Sequence, residues 1–406
     1  MYKLNTKFVS IVLSLAVWHS ASATTLEEAA AIQRELITLD SHLDTPANLV
    51  VPGFNILDRH SYAHDFTQVD VPRMREGALD GGFWVIYSPQ GELTKTGYEK
   101  SRDTALLRAL AIRSMVTANP DIFELAIEAD DASEIKKSAK HIVYLSMENA
   151  YPLGTDVSLL DTFYKFGLRM VGPLHFKNNQ FGDSSTDPDG AKWGGLSPLG
   201  ETLVAEANRL GIVLDGSHAH DETLKDMILL SKTPVILSHT GSKAIYDHPR
   251  NVDDALLNKL AASGGVIQMN AYSDYLEELP VDLERQEAVK VLLAMRAKGS
   301  DRDVLLEKRR EIERKHPAVK ASFDAYMTHF LHALKVVGPK HVGVGADWDG
   351  GGGVSGMMDV VNLPMITQRL LEEGYSKDDL ADIWWGNALR VLQQAQDYAN
   401  SLKAKK

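Results

Sequence analysis

The chain has 406 residues, of which 44% are hydrophobic and 24% charged, and it carries a formal net charge of −12. That is enough apolar material for a full core and argues against a disordered chain; the acidic balance, with no long basic run, excludes nucleic acid as the main partner, because such binding depends on Lys and Arg neutralising phosphates. The absence of cysteine excludes disulfides, thiolate zinc sites and cysteine nucleophiles.

The first element reads as a leader rather than as part of a fold. "MYKLNTK" brings Lys3 and Lys7, "FVSIVLSLAVW" is apolar, and "SASA" ends in the small-x-small pattern of a signal-peptidase site. The apolar run is shorter than the roughly 20 residues that span a bilayer. A signal peptide over residues 1–23, cut after Ala23, and a single domain over 24–406 follow as expectations. So does a secreted or periplasmic location without a stable membrane anchor. The polar end, "DYANSLKAKK", has no lipid-anchor tail.

From there short apolar runs alternate with helical patterns. "ELITLDSHLD" runs to Asp44, "GGFWVIYS" to Ser88, "HIVYLSMEN" past Glu148 and "GLRMVGPLH" to His175. "GIVLDGSH" runs to His218, "TPVILSHT" past His239, "GGVIQMNAY" to Tyr272 and "HVGVGADWD" past Asp347. Amphipathic segments lie between most of them. In "SPLGETLVAEANRLG", Ser197 predicts an N-cap, Pro198 suits the first turn and Gly211 follows the end. Strands that alternate with helices imply a parallel sheet, and continuously apolar strands imply burial on both faces. Eight such units fit a (β/α)8 TIM-like barrel with its functional groups at the C-terminal strand ends. An open doubly wound sheet is the rival, but "DSHLDTP" stands where such a fold usually has a glycine-rich phosphate turn.

Before the last strand, residues 273–340 form one long connection with charged helical stretches such as "DVLLEKRREIERKHP". A helical insertion over about 276–338 is expected, either packed outside the barrel or covering its mouth. The last segment, "DDLADIWWGNALRVLQQAQ", predicts an amphipathic helix that packs Trp384 or Trp385 into the shell.

Six of the eight runs end at His, Asp or Glu, and a barrel would bring these to one rim. The set is His42, Asp44, Glu148, His175, His218, His239 and Asp347. A lone strand-end histidine is usually a hydrogen-bonding group; the joint placement is what points to metal. Imidazoles and carboxylates are ligands for divalent ions, zinc foremost. Five or six of them exceed what one tetrahedral zinc needs. They suit two ions about 3.5–4 Å apart that share a bridging carboxylate, with a bridging hydroxide as nucleophile. The remaining histidines read as structural, with His220 worth following because it is two residues past His218.

The chain resembles the membrane dipeptidase (renal dipeptidase) family, peptidase M19, a branch of the amidohydrolase-type barrels. "DSHLDTP", "QVDVPRMREGALDGGFW", "GLRMVGPLHFKNNQFGDSSTD", "NRLGIVLDGSH", "VILSHTGSKAIYDHPRNV" and "GADWDG" follow in the family's order across residues 36 to 392 or so. The resemblance implies an exported zinc-dependent dipeptidase acting on small dipeptides, including L-Xaa-D-Xaa. His42 and Asp44 would bind one ion, His218 and His239 the other, and Glu148 would bridge them. Asp347 would move the proton of the bridging water, and His175 would polarise the scissile carbonyl. Arg250 would bind the substrate carboxylate, with Tyr272 lining the pocket and Asp349 in a supporting place. The alternatives are another amidohydrolase-type reaction, such as deacylation of N-acyl-D-amino acids or lactone hydrolysis, or a non-catalytic periplasmic binding protein. The sequence leaves room for a homodimer. "DGSH" replaces the commoner "DLSH", and "SHTG" the commoner "SHSS", which bears on substrate range more than on chemistry.

Overall fold

The computed structural model describes residues 24–404; the expected leader lies outside them. Its strands, in chain order, are β1 (Leu39–Leu43), β2 (Gly81–Tyr87), β3 (Phe123–Leu125), β4 (His141–Glu148), β5 (Leu168–Val171), β6 (Val213–Asp215), β7 (Val235–Ser242), β8 (Asn251–Val252), β9 (Val266–Met269) and β10 (Val342–Val344). Eight of them pair in parallel in the order β1-β2-β4-β5-β6-β7-β9-β10, while β3 joins β4 and β8 joins β7 outside that path. The ring closes between its ends. Leu43 bridges Trp348 in parallel, Asp44 N–H donates to the Trp348 carbonyl at 2.9 Å, and Ala346 N–H donates to Asp40 Oδ2 at 3.0 Å. This seam makes the sheet a TIM-like barrel and excludes the open doubly wound alternative.

The apolar runs form strands because every residue of β1 and β4 is buried. Early residues of the strands, including Leu39, Phe83, Tyr144, Val213, Ile236 and Val266, gather with Trp385, Val391 and Leu392 at the N-terminal end of the barrel. Later residues such as Trp84, Leu145 and Leu237 join the larger core that the helices cover. The helix Pro198–Leu210 starts and stops as its sequence predicts. Ser197 Oγ accepts from Gly200 N–H at 3.1 Å, Pro198 opens the first turn, and Gly211 closes it at φ 77°, where a Cβ would be strained.

Three elements differ from expectation. β5, β6 and β10 stop well before His175, His218 and Asp347, which sit in the following loops; Asp347 and Asp349 lie at φ 64°, a conformation no strand continues. The C-terminal segment is not one regular helix but Lys377–Ala381, a π-turn over Asp382–Gly386 and Asn387–Lys403. Trp384 and Trp385 are adjacent, and both are buried. The widened turn lets one reach Thr367 Oγ1 at 2.9 Å and the other stack beneath Phe83 and Tyr144. In the long connection, helices Leu283–Ala297 and Arg302–Lys315 pack on each other, whereas Phe323–Val337 packs on β7, β9 and β10 like an ordinary barrel helix. Among the described residues no helix is long and apolar enough to cross a membrane.

Candidate active site

The C-terminal strand ends bring the predicted donors together around one atom. Glu148 Oε1 stands 2.9 Å from His218 Nε2, 3.5 Å from His239 Nε2, 3.6 Å from His42 Nε2 and 4.0 Å from His175 Nε2. His42 Nε2 is 3.5 Å from Asp44 Oδ2, and the Nε2 atoms of His218 and His239 are 3.0 Å apart. Asp347 groups with His42 and Asp44 within 4.8 Å. The register explains the centre: β2 and β4 pair from Gly81–Ile142 to Tyr87–Glu148, so Glu148 is the last residue of the pairing and projects at the rim.

This arrangement fits a divalent ion. Donor atoms about 2.0–2.1 Å from a tetrahedral ion stand about 3.3 Å from one another, which matches the spacing here. His42 Nε2 is buried without any hydrogen-bond partner, a costly state unless a ligand takes it. A Cβ on Gly350 would run into Asp347 Oδ1 and Asp44 Oδ2, so only glycine leaves these oxygens their place.

The charges say the same. Burial pushes Glu148 well above its ordinary range, with Asp44 and Asp347 adding to it against the pull of His42. Burial likewise raises Asp347 to about 8, His42 opposing and Asp44 adding. For His42, burial disfavours the charged form, yet the Glu148 and Asp44 carboxylates outweigh it and raise the imidazole to about 10. Burial and the Arg250 guanidinium hold His218 well below its usual value and His175 at about 3. Crowded buried carboxylates beside the neutral imidazoles of His175 and His218 are a donor set that a divalent cation neutralises, and such a cation would take the place of the proton the carboxylates favour on His42.

Behind the rim lies a network that the sequence did not announce. Ser238 Oγ donates to Asp215 Oδ2 at 2.6 Å and faces the Nδ1 atoms of His239 at 2.9 Å and His42 at 3.3 Å. Asp215 also accepts from Ser217 Oγ at 2.6 Å. One carboxylate and one hydroxyl thus orient two imidazoles carried by different strands, β1 and β7. The only available signal was the polar Asp215 and Ser238 inside otherwise apolar runs.

A cavity of about 670 Å³ opens over this rim, lined by Asp44, Tyr87, Arg108, His175, Phe176, Arg250, Tyr272, Tyr275, Leu293, Arg296 and Asp347 among others. All the predicted substrate residues therefore face one space. Arg250 is buried, donates from Nη1 to the Ser217 carbonyl and from Nη2 to the His239 carbonyl at 3.1 Å, and lies over the Tyr275 ring. Tyr272 stacks on Tyr275 with centroids 4.5 Å apart. Leu293 and Arg296 come from the Leu283–Ala297 helix, so the insertion forms part of the wall. Larger clefts of about 820 and 810 Å³ lie beside the insertion, away from the donors, and Arg296 borders these as well. Asp349 is engaged elsewhere: it accepts from Gln68 N–H and Thr45 Oγ1, both at 2.7 Å, and ties the last strand's loop to the first's. His220 caps the helix Asp221–Leu230. Arg108, Tyr87 and Arg296 carried no sequence signal, since each sits within an ordinary helix or strand.

Known proteins share this architecture. The family profile described as "Membrane dipeptidase (Peptidase family M19)" matches residues 26–406. Dipeptidase aclJ of Aspergillus oryzae is 30% identical over 84% of this chain and 75% of its own length. The crystal structure of the probable dipeptidase PvdM from Pseudomonas aeruginosa superposes with a TM-score of 0.78 at 28% identity, covering 92% of this chain and 98% of that one. Dipeptidase AC, a metallopeptidase of family M19, gives 0.71 at 25% identity, covering 89% and 98%. With its divalent-metal donor set at the rim of the same barrel, the chain belongs to the membrane dipeptidase family, peptidase family M19, and is a metallo-dipeptidase.

Proposed function

We propose that this dipeptidase is exported, holds two zinc ions and hydrolyses dipeptides with a free C-terminal carboxylate, including those with a D-residue at that end. The observation that carries the reading is the convergence of four imidazoles on Glu148 Oε1. His42 and Asp44 would hold one ion, His218 and His239 the other, and Glu148 both. When bound, the ions supply Lewis acidity that makes water a competent nucleophile near neutral pH. Asp347, set beside His42 and Asp44 at the cavity floor, accepts the water's proton and returns it to the leaving amine. His175, kept neutral by burial, donates to the carbonyl oxygen as charge develops there. Arg250 and Tyr272 set the substrate's carboxylate end, the guanidinium matching a carboxylate fork. Export rests on the charged, apolar and small-residue order of residues 1–23; N-terminal sequencing of the mature chain checks the cut after Ala23.

The test is a panel on purified, zinc-loaded protein: L-Ala-L-Ala, L-Ala-D-Ala, an N-acetyl-D-amino acid and a lactone, with metal content measured in parallel. Two ions per chain and turnover of the dipeptides are expected. Activity on the N-acyl amino acid or the lactone alone overturns the reading. Asp347→Asn keeps both ions and loses on the order of 10²–10⁴ in kcat; loss of metal instead means that Asp347 is a ligand.

A further inference from the structure

Two arginines on the cavity wall form no ion pair with any described residue. Arg108, on the helix Lys95–Ala118, is only 8% exposed, and its Nη1 is buried without a hydrogen-bond partner. Arg296 is on the insertion helix Leu283–Ala297. Both line the same cavity over the catalytic rim. Neither side chain makes a hydrogen bond or ion pair with another described residue, whereas the other buried arginines are all engaged: Arg73 pairs with Asp70 and Asp359, and Arg169 and Arg250 donate to backbone carbonyls. A buried guanidinium with an empty donor is costly, and a second one facing the same cavity adds repulsion. The carboxylate whose field reaches Arg108 is Asp44, which the metal would engage. Such a wall is built to receive an anion.

Position says which part of the substrate carries it. Arg250 stands at the His218 and Tyr275 side of the rim, where the proposed reading places the C-terminal carboxylate. Arg108, on a helix that packs against the Pro46–Leu49 turn and β2, lines the cavity on the Tyr87 and Asp44 side; on the proposed reading that side lies beyond the scissile bond from Arg250. A second carboxylate there belongs to the residue on the N-terminal side of that bond. We propose that Arg108 and Arg296 form a recognition site for an acidic side chain on the first residue of the dipeptide, so that Asp- and Glu-first dipeptides are the preferred substrates. The inference rests on the reading of the site as one that binds dipeptides with the carboxylate at Arg250. Arg108 supplies the preorganised, dry half of the clamp, and Arg296 completes it from the insertion, which makes the insertion a determinant of specificity.

The experiment compares isosteric pairs on the zinc-loaded enzyme: L-Glu-L-Ala against L-Gln-L-Ala, and L-Asp-L-Ala against L-Asn-L-Ala. Neutral L-Ala-L-Ala is run alongside. A kcat/KM ratio of acid over amide of about tenfold or more is expected for at least one pair, since charge-assisted forks discriminate on that scale. In Arg108→Gln and in Arg296→Gln that ratio falls toward one. Arg296 is on an exposed helix face, so its variant folds even if the Arg108 variant does not. A wild-type ratio near one, or a ratio that survives in Arg296→Gln and in a folded Arg108→Gln, overturns the proposal while turnover of L-Ala-L-Ala leaves the dipeptidase reading standing. No turnover of any dipeptide overturns both.

Discussion

Asn149, Asp347 and Asp349 all sit at φ between 64° and 66°, each at or beside a rim donor. Residues with a Cβ pay about 1 kcal/mol or more for this conformation. The local bonds show what holds them there: the Asp347 carbonyl accepts the N–H groups of Gly350, Gly351 and Gly352 at 2.8–3.2 Å, and the Asn149 side chain accepts from Asn179 and from Tyr151 N–H. "GADWDG" was legible because its acids, its glycines and its place after an apolar run all agree. Arg108 was not, because an arginine in the middle of a helix is normally a solvated residue, and only the tertiary fold turns this one inward. A residue far from the rim offers a test of the electrostatics. His141 is buried at the start of β4, where burial, with Arg75 adding, lowers its imidazole to about 4. The unfolded chain takes that proton near 6.5. Between those values the unfolded state binds more protons, so the contribution is complete above about pH 6.5 and is lost as pH falls toward 4. A gap of that size corresponds to about 3 kcal/mol. His141→Phe is expected to flatten the decline in unfolding free energy between pH 6.5 and 4.5 relative to the wild type, measured by urea titration; parallel curves sink this account.

At the scale of elements, the barrel's order was readable and its strand ends were not. Alternation of apolar runs with capped helices implies a parallel sheet, which eight units favour closing into a ring, and Ser197, Pro198 and Gly211 delimit their helix as read. The pairs β3 and β8 escaped notice because two or three residues carry no periodicity. The long connection was legible as an insertion, but the division between its two mutually packed helices and the barrel helix Phe323–Val337 depends on which neighbour each one meets. The π-turn at Asp382–Gly386 was likewise invisible, since its cause is that two adjacent tryptophans have separate buried destinations. Trp385 is 3% exposed and packs beneath Phe83 and Tyr144 with centroids 5.6 and 5.7 Å away. Trp385→Ala is expected to cost about 3–5 kcal/mol through the cavity it leaves. Because it lies at the end of the barrel away from the rim, the variant's kcat/KM well below its melting temperature should stay within about twofold. A thermal melt and a dipeptide assay read both halves; a large kinetic defect with unchanged stability contradicts the layering described here.

On the scale of the whole molecule, donors that are some three hundred positions apart in sequence share one cavity floor because the first and last barrel strands are neighbours. The junction between them is the thinnest part of the ring: one bridge, Leu43 with Trp348, and a handful of hydrogen bonds, among them Ser41 Oγ to the Val344 carbonyl at 3.2 Å and Thr45 Oγ1 to Asp349 at 2.7 Å. His42 and Asp44 occupy one lip of that junction and Asp347 the other. Any loosening there separates Asp347 from His42 and Asp44 before the remaining strands part company. Catalysis should therefore act as a gauge of ring integrity, fading at urea concentrations where far-ultraviolet circular dichroism is still native. Coincident loss of both signals would mean that the junction is as firm as the rest of the wall.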